Sequence, residues 1–399
     1  MKKTLAFVLA AGCVVGSYAT DARVEVMGGH DAFFRDEVSV FRNPADMSLY
    51  PNMMYGSYGW VDKNLNHNAI QSTFIRNNLV LADPFFGAMI SHKFSEAENA
   101  PMFSIGTFVN RRDRILDYLM EAGEGKLKEP VGKLDLMFGY DMGNGIALGL
   151  GLYGAHQKEK VADRVDAQTG VYKLNAGINW NLDQGLDFEA SFNGGSIKGT
   201  YTTPKWNPKK NAYVDSLIKI TDGDYFYRGD VRFFSAVPAI NGAFVPQVSM
   251  EIMKLNGTDI IDVAGGIGLN MNIDRGFFWA GLQGLYNQMD KNKETSETIG
   301  GRLSFGIERN IVWDWFLIRV GGQKEILHEK ENDGKDRRWV ESNKSGDEDE
   351  LVGLGFGVNI DNRLRVDFVS SNDVAYTFTN LISGPQLSLF KRISATYRF

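Results

Sequence analysis

The chain has 399 residues, 43 Lys and Arg against 49 Asp and Glu, and 44 Gly beside only 10 Pro. A net charge of −6 with no basic run excludes nucleic-acid binding by charge, and one Cys with five His excludes zinc sites of the usual spacing. Abundant glycine with 48 aromatic residues argues against both disorder and a helical bundle.

In chain order, Lys2 and Lys3, the apolar stretch from Leu5 to Val15, and the small residues Ser17 and Ala19 predict a secretory signal at 1–19, cleaved after Ala19. The stretch is too short to cross a bilayer as a helix. A rival reading makes Leu9-Ala10-Ala11-Gly12-Cys13 a lipoprotein box, although its leucine sits one place too far from the cysteine. Cys13, the only cysteine, leaves with the signal, so the exported chain uses no disulfide.

Residues 20–50 lack clean alternation and form a separate predicted segment. They hold Met27-Gly28-Gly29, Phe33-Phe34, Asp36-Glu37 and Asn43-Pro44-Ala45, then Met47 and Leu49 before Pro51-Asn52. Pro44 removes a donor and keeps Asn43 out of helix, and the Asn43 side chain can close an Asx-type turn. Gly28 and Gly29 permit close backbone approach to a wall.

From residue 51 to 399 the dominant signal is period 2. It is clearest where Tyr172, Leu174, Ala176, Ile178, Trp180 and Leu182 oppose Lys173, Asn175, Gly177, Asn179 and Asn181. Alternation over this length means strands that meet two different solvents. Sixteen such runs are countable, near 51–61, 84–94, 101–109, 132–141, 145–156, 171–182, 185–193, 224–235, 242–254, 260–272, 277–288, 299–309, 312–322, 350–360, 363–371 and 388–399. Short turns, such as 183–184 and 361–362, alternate with longer loops, such as 62–83, 157–170, 194–223 and 323–349. Strands of about ten residues with this loop asymmetry predict an all-β, antiparallel up-and-down transmembrane barrel rather than a soluble sandwich. Phe94, Trp180, Phe277, Phe278, Trp313 and Trp315 near the short turns suit an interfacial girdle. Gly265-Gly266 and Gly353 to Gly357 read as small inward residues. Within the loop 110–131, Asp113 to Ala122 predicts an amphipathic helix whose Ile115, Leu116, Leu119 and Met120 form an apolar patch at the barrel mouth. That patch would either capture a hydrophobic ligand or cover the loops.

The final run alternates Ile393, Ala395, Tyr397 and Phe399 with Arg392, Ser394, Thr396 and Arg398. Tyr397 and terminal Phe399 resemble the insertion signal of bacterial outer-membrane proteins, which implies the barrel assembly machinery as a partner. With Gly28, Gly29, Asp36-Glu37 and Asn43-Pro44-Ala45, the chain resembles the FadL/PorV superfamily of outer-membrane barrels. That resemblance implies fourteen strands and an N-terminal hatch inside the lumen, against the sixteen strands counted from the residues.

No nucleophile elbow, phosphate-cradling loop or metal motif occurs, and no sequence feature pairs His30, His67, His156 or His328, four of the five histidines, with a nucleophile. An enzyme is not expected, nor a cofactor. The resemblance implies FadL-like transport of hydrophobic small molecules across the outer membrane, or a PorV-like barrel that binds secreted proteins. A general diffusion porin is the third reading. Inward charges of both signs, among them Lys173, Arg232, Arg302, Arg365, Asp187, Glu189, Glu308 and Asp367, would line a polar channel or brace a plugged one. Outer-membrane lipid and lipopolysaccharide are the expected surroundings. The acidic run at 346–350 reads as a solvated loop.

Overall fold

The computed structural model describes residues 21–59, 84–97, 99–123, 126–161, 164–182, 185–207, 212–221, 224–291, 294–311, 313–332, 339–345, 351–361, 363–370 and 390–399. The predicted signal and its cleavage point, His67, the turn at 183–184 and the acidic run at 346–350 lie outside these residues. Eighteen strand segments follow in order: β1 (Met53–Gly59), β2 (Phe85–Lys93), β3 (Met102–Val109), β4 (Gly132–Asp141), β5 (Ile146–Val161), β6 (Arg164–Leu182), β7 (Leu186–Asn207), β8 (Ala212–Lys219), β9 (Asp224–Val237), β10 (Gly242–Leu255), β11 (Thr258–Ile273), β12 (Gly276–Lys291), β13 (Glu294–Asn310), β14 (Phe316–Asn332), β15 (Trp339–Ser345), β16 (Leu351–Ile360), β17 (Leu364–Ser370) and β18 (Phe390–Arg398).

Each segment pairs antiparallel with its neighbours, and β18 pairs with β1, so the sheet closes on itself. β8 and β9 both pair with β7, on its outer and inner halves, and β15 and β16 do the same with β14. They are therefore interrupted single strands, and the wall has sixteen, as the alternation predicts and not the fourteen that the family resemblance implies. An even number lets the last strand return beside the first, so the wall closes.

Side chains follow the predicted faces. Leu148, Leu150, Leu152, Tyr172, Leu174, Trp180, Phe192, Val248, Ile267, Leu303 and Ile393 are exposed on the outer surface, while Asn175, Asn179, Glu189, Arg232, Arg302, Arg365 and Asp367 are buried. The apolar band has an aromatic edge at each end. Trp180 and Phe188 lie opposite each other across β6 and β7, and Phe188 lies opposite Phe233. Eight residues up β6, Tyr172 marks the other edge, near the height of Tyr225 and Tyr227. Trp313 and Trp315 stack at the short-turn end, 5.2 Å between centroids.

Three expectations need correction. Phe277 does not belong to the girdle: it faces inward, with its ring 5.9 Å from that of Phe34. Gly265 faces outward beside Val248, and only Gly266 of that pair faces inward, against Gln283. The long loops at 157–170, 194–223, 289–298 and 323–349 are largely strand, with β6 19 residues long and β7 22. These hairpins continue the ladder beyond the apolar band. There the outward face carries polar residues such as Lys158, Gln168 and Lys198, so alternation fades although the backbone stays paired.

An arginine replacing Leu150, on the row Phe138–Leu150–Ala176–Phe192 midway between the aromatic edges, should cost roughly 2–4 kcal/mol in a bilayer. An arginine replacing exposed His156, beyond Tyr172, should cost about 0–1 kcal/mol. Urea unfolding in lipid vesicles, followed by the gel shift of folded barrel, checks the difference. Equal costs would mean that no apolar band surrounds the wall.

Candidate functional site: the filled lumen

A sixteen-stranded wall encloses more space than its own side chains fill. Residues 21–50 occupy that space. They form a short helix α1 (Asp21–Val26), then two 3-10 turns at Glu37–Phe41 and Pro44–Leu49. Most of their side chains, charges included, are buried.

Wall glycines make the room. A Cβ at Gly149 would overlap the backbone of Pro44 and Ala45, and one at Gly177 would overlap the Asn43 side chain. Gly321 and Gly353 meet the backbone of Val26 and Met27 in the same way, and Gly268 and Gly281 meet the ring of Phe33. Gly28, at φ 89°, brings the inner backbone against the wall: a Cβ there would stand 3.0 Å from Trp279 and 3.1 Å from the Phe305 carbonyl oxygen. Gly29 also has positive φ. The Asn43-Pro44-Ala45 turn closes as an Asx turn, Ala45 N–H donating to Asn43 Oδ1 at 3.1 Å. Asn43 Nδ2 donates to Asn179 Oδ1 at 2.6 Å, and Asn179 Nδ2 donates to Asp46 Oδ1 at 2.8 Å. The motif is thus fixed to β6 by side-chain hydrogen bonds.

Charge fixes the rest. The Glu308 carboxylate accepts from Arg23 at 2.9 and 3.0 Å, from Arg319 at 3.0 Å and from Arg365 at 3.3 Å. Asp367 accepts from Arg319 at 2.7 Å and Arg365 at 3.1 Å, and Arg23 also reaches Asp36 at 3.4 Å. Asp36 in turn caps the first 3-10 turn, reciprocally with Ser39. Glu37 accepts from Arg398 at 3.0 Å and from Thr396 at 3.1 Å, which ties the segment to the closing strand. On the opposite wall Arg35 pairs with Asp187 at 2.9 Å and with Glu189, and Glu189 also takes Arg232. Arg232 donates to the carbonyls of Asp31 and Phe34 at 2.8 and 2.9 Å. Burying a charge costs several kcal/mol, and removing one partner of such a pair is strongly destabilising.

The inward charges singled out from the sequence are therefore brought together with charges of the inner segment. Sequence reasoning missed Arg319, although it shares the inward parity of Leu317 on β14, and it missed Arg111. Arg111 lies just past β3, donates to Asp135 at 2.7 and 2.8 Å, and sits over the Phe41 ring at 4.4 Å.

The mouth helix, α2 (Arg114–Ala122), forms where expected but faces inward. Ile115, Leu116 and Leu119 are buried against Leu127 and the inward residues Tyr153, Ala155, Val171, Ile197, Phe226, Met253 and Leu255, with Met120 partly buried beside them. Asp113 accepts from Lys173 at 2.6 Å, and Arg114 pairs with Glu251. Against burial, which alone would raise it, the charges of Lys173 and Arg111 hold the Asp113 carboxyl well below the usual carboxylate range. Among the described residues, one small cavity of about 40 Å³ lies between Arg42, Glu189, Arg228 and Gln283, and another of about 40 Å³ between Phe41, Arg111, Ile115 and Phe226. Tyr397 and Phe399 lie on the outer surface, exposed, their rings 6.4 Å apart.

Gly177→Ala should displace the Asn43 turn at a cost of about 1–3 kcal/mol, as overpacking does. Tryptic cleavage at Arg35 and Arg42 should accelerate in that variant. Gly154→Ala, whose Cβ has nothing nearer than 4.0 Å, should leave cleavage unchanged. Equal cleavage in the two variants would show that Gly177 does not seat the turn.

No protein-family model matches the chain, and no curated protein sequence matches it. Among solved structures it is similar to the Pseudomonas putida toluene transporter TodX, at 9% identity and TM-score 0.40, over 97% of this chain and 100% of that one. It is also similar to a deltaS2 mutant of the TodX monoaromatic hydrocarbon channel, at 8% identity and TM-score 0.39, over 95% and 98%. BamA from Haemophilus ducreyi lacking POTRA domains 1–3 follows at 7% identity and TM-score 0.38, over 87% and 70%. At these scores the likeness decides nothing about the chemistry of the lumen.

Proposed function

We propose that this chain is an outer-membrane barrel that passes hydrophobic small molecules, with residues 21–50 as its movable hatch. The observation that carries the reading is the apolar compartment under α2. Inward positions of a water-filled pore are polar. Here Tyr153, Ala155, Val171, Ile197, Phe226, Met253 and Leu255 make the inward face apolar at the long-loop end, where α2 covers it. Withdrawal of α2 exposes an apolar pocket, and the charged belt below it opens only if the inner segment shifts. The ion pairs that join this segment to the wall favour a plugged barrel over a general diffusion channel.

Deletion of residues 21–46 should raise single-channel conductance in planar bilayers from a low native level. A short thiol cross-link between Asn43→Cys and Asn179→Cys, which replace a bonded pair, should abolish uptake of a long-chain apolar fluorescent probe, and reduction should restore it. Unchanged uptake with large native conductance would favour a porin. If neither native nor deleted protein conducts or imports, the transport reading fails and a barrel that binds secreted proteins becomes the better account.

A further inference from the structure

We propose that the outward face of β4 to β9 binds one phosphorylated, multi-acylated glycolipid of the surrounding leaflet, its acyl chains in a cleft at Gly154 and Gly194 and its phosphates on Lys158 and Lys198. The proposal rests on the outer-membrane reading above.

The cleft measures about 1030 Å³ and lies on the lipid-facing side of an unbroken ladder. Strand register shows how it arises. One outward row runs Leu136–Leu152–Leu174–Gly194–Tyr227, and the next runs Leu134–Gly154–Tyr172–Ser196–Tyr225. Gly154 leaves a depression between the Leu134, Leu152 and Leu174 side chains and three tyrosines, and Gly194 lets the Tyr227 ring lie flat along its edge. A Cβ at Gly154 meets only Tyr172, at 4.0 Å, so the space beside it is open. The rim is ordered: Tyr225 and Tyr227 rings lie 5.4 Å apart, and the Tyr172 hydroxyl hydrogen-bonds His156 Nδ1 at 3.0 Å.

The charge lies directly above. The next outward row is Gly132–His156–Gly170–Lys198, and the one beyond is Lys158–Gln168–Thr200–Lys219. Neither row carries an acidic residue, and Lys158, Lys198 and Lys219 are exposed. Rows two residues apart are separated by about 7 Å along the strand. A lysine stem therefore spans from its row to a headgroup resting on the tyrosine rim. An apolar cleft ending at tyrosines and crowned by cations complements a lipid whose anionic groups sit just above several acyl chains. A zwitterionic phospholipid with two chains would satisfy less of both.

Full-length barrel purified in detergent should be titrated with a bis-phosphorylated, hexa-acylated glycolipid and with phosphatidylethanolamine, and bound lipid counted by native mass spectrometry. The wild type should retain one glycolipid, on the order of tenfold more tightly than phosphatidylethanolamine. Lys158→Gln with Lys198→Gln should weaken glycolipid binding on the order of tenfold while leaving phosphatidylethanolamine unchanged. Gly154→Leu should weaken the glycolipid by filling the cleft. The gel shift of folded barrel checks that each variant is intact. Equal retention of both lipids by the wild type, or no effect of the lysine pair, would overturn the proposal. Fractionation of the protein to another membrane would remove the location reading and leave this binding result standing.

Discussion

The Glu308 carboxylate, shared among Arg23, Arg319 and Arg365, is the interaction on which the filled lumen depends. Two of these arginines come from the wall and one from the inner segment. Without Arg23, the wall would still hold Glu308 and Asp367 against Arg319 and Arg365. Without the wall, Arg23 and Asp36 would carry buried charge with too few partners. Arg35 with Asp187 and Glu189 repeats the arrangement on the opposite side, and Glu37 with Arg398 repeats it at the seam. A segment with little regular structure of its own is thereby held from several directions. Wall glycines supply the space, and ion pairs supply the register. Neither suffices alone, since glycines without charge pairs would leave the segment free to slide.

The same belt bears on movement. Buried, paired charges are costly to separate in a dry interior and cheaper where water follows them in. The two small cavities beside Arg42, Arg228 and Arg111 already border this belt. Above it the lumen changes character, because α2 closes an apolar compartment through its own apolar side and through two ion pairs at its N-terminal end, Asp113 with Lys173 and Arg114 with Glu251. Polar seating below and an apolar cover above divide the interior into two parts of different chemistry.

The strands were legible because a wall between lipid and lumen forces a two-residue period on the sequence. Where that contrast ends, so does the signal. Residues 194–207 read as loop because Gly194, Gly195, Ser196, Lys198 and Gly199 break the apolar alternation, yet they continue the ladder with β6 and β8. Phe277 read as a girdle residue because aromatic type is the same on either face, and only its neighbour Phe34 reveals the side. The Asn43-Pro44-Ala45 turn was legible as local chemistry. Its seat on Gly149, Gly177 and Asn179 was not, since those contacts span more than a hundred residues of sequence. The amphipathic pattern of α2 revealed that one side is buried and left open against what.

Hydrogen exchange on the full-length barrel in lipid nanodiscs tests the seating of residues 21–50 most directly. The amides of Ser39, Arg42, Asn43 and Asp46 donate to carbonyls within the segment at 2.8–3.0 Å. Outside a packed environment, turns this short exchange nearly as fast as free chain. The account predicts protection close to that of the flanking strands β6 and β14. Exchange of these four amides at free-chain rates, with the wall still protected, would contradict it.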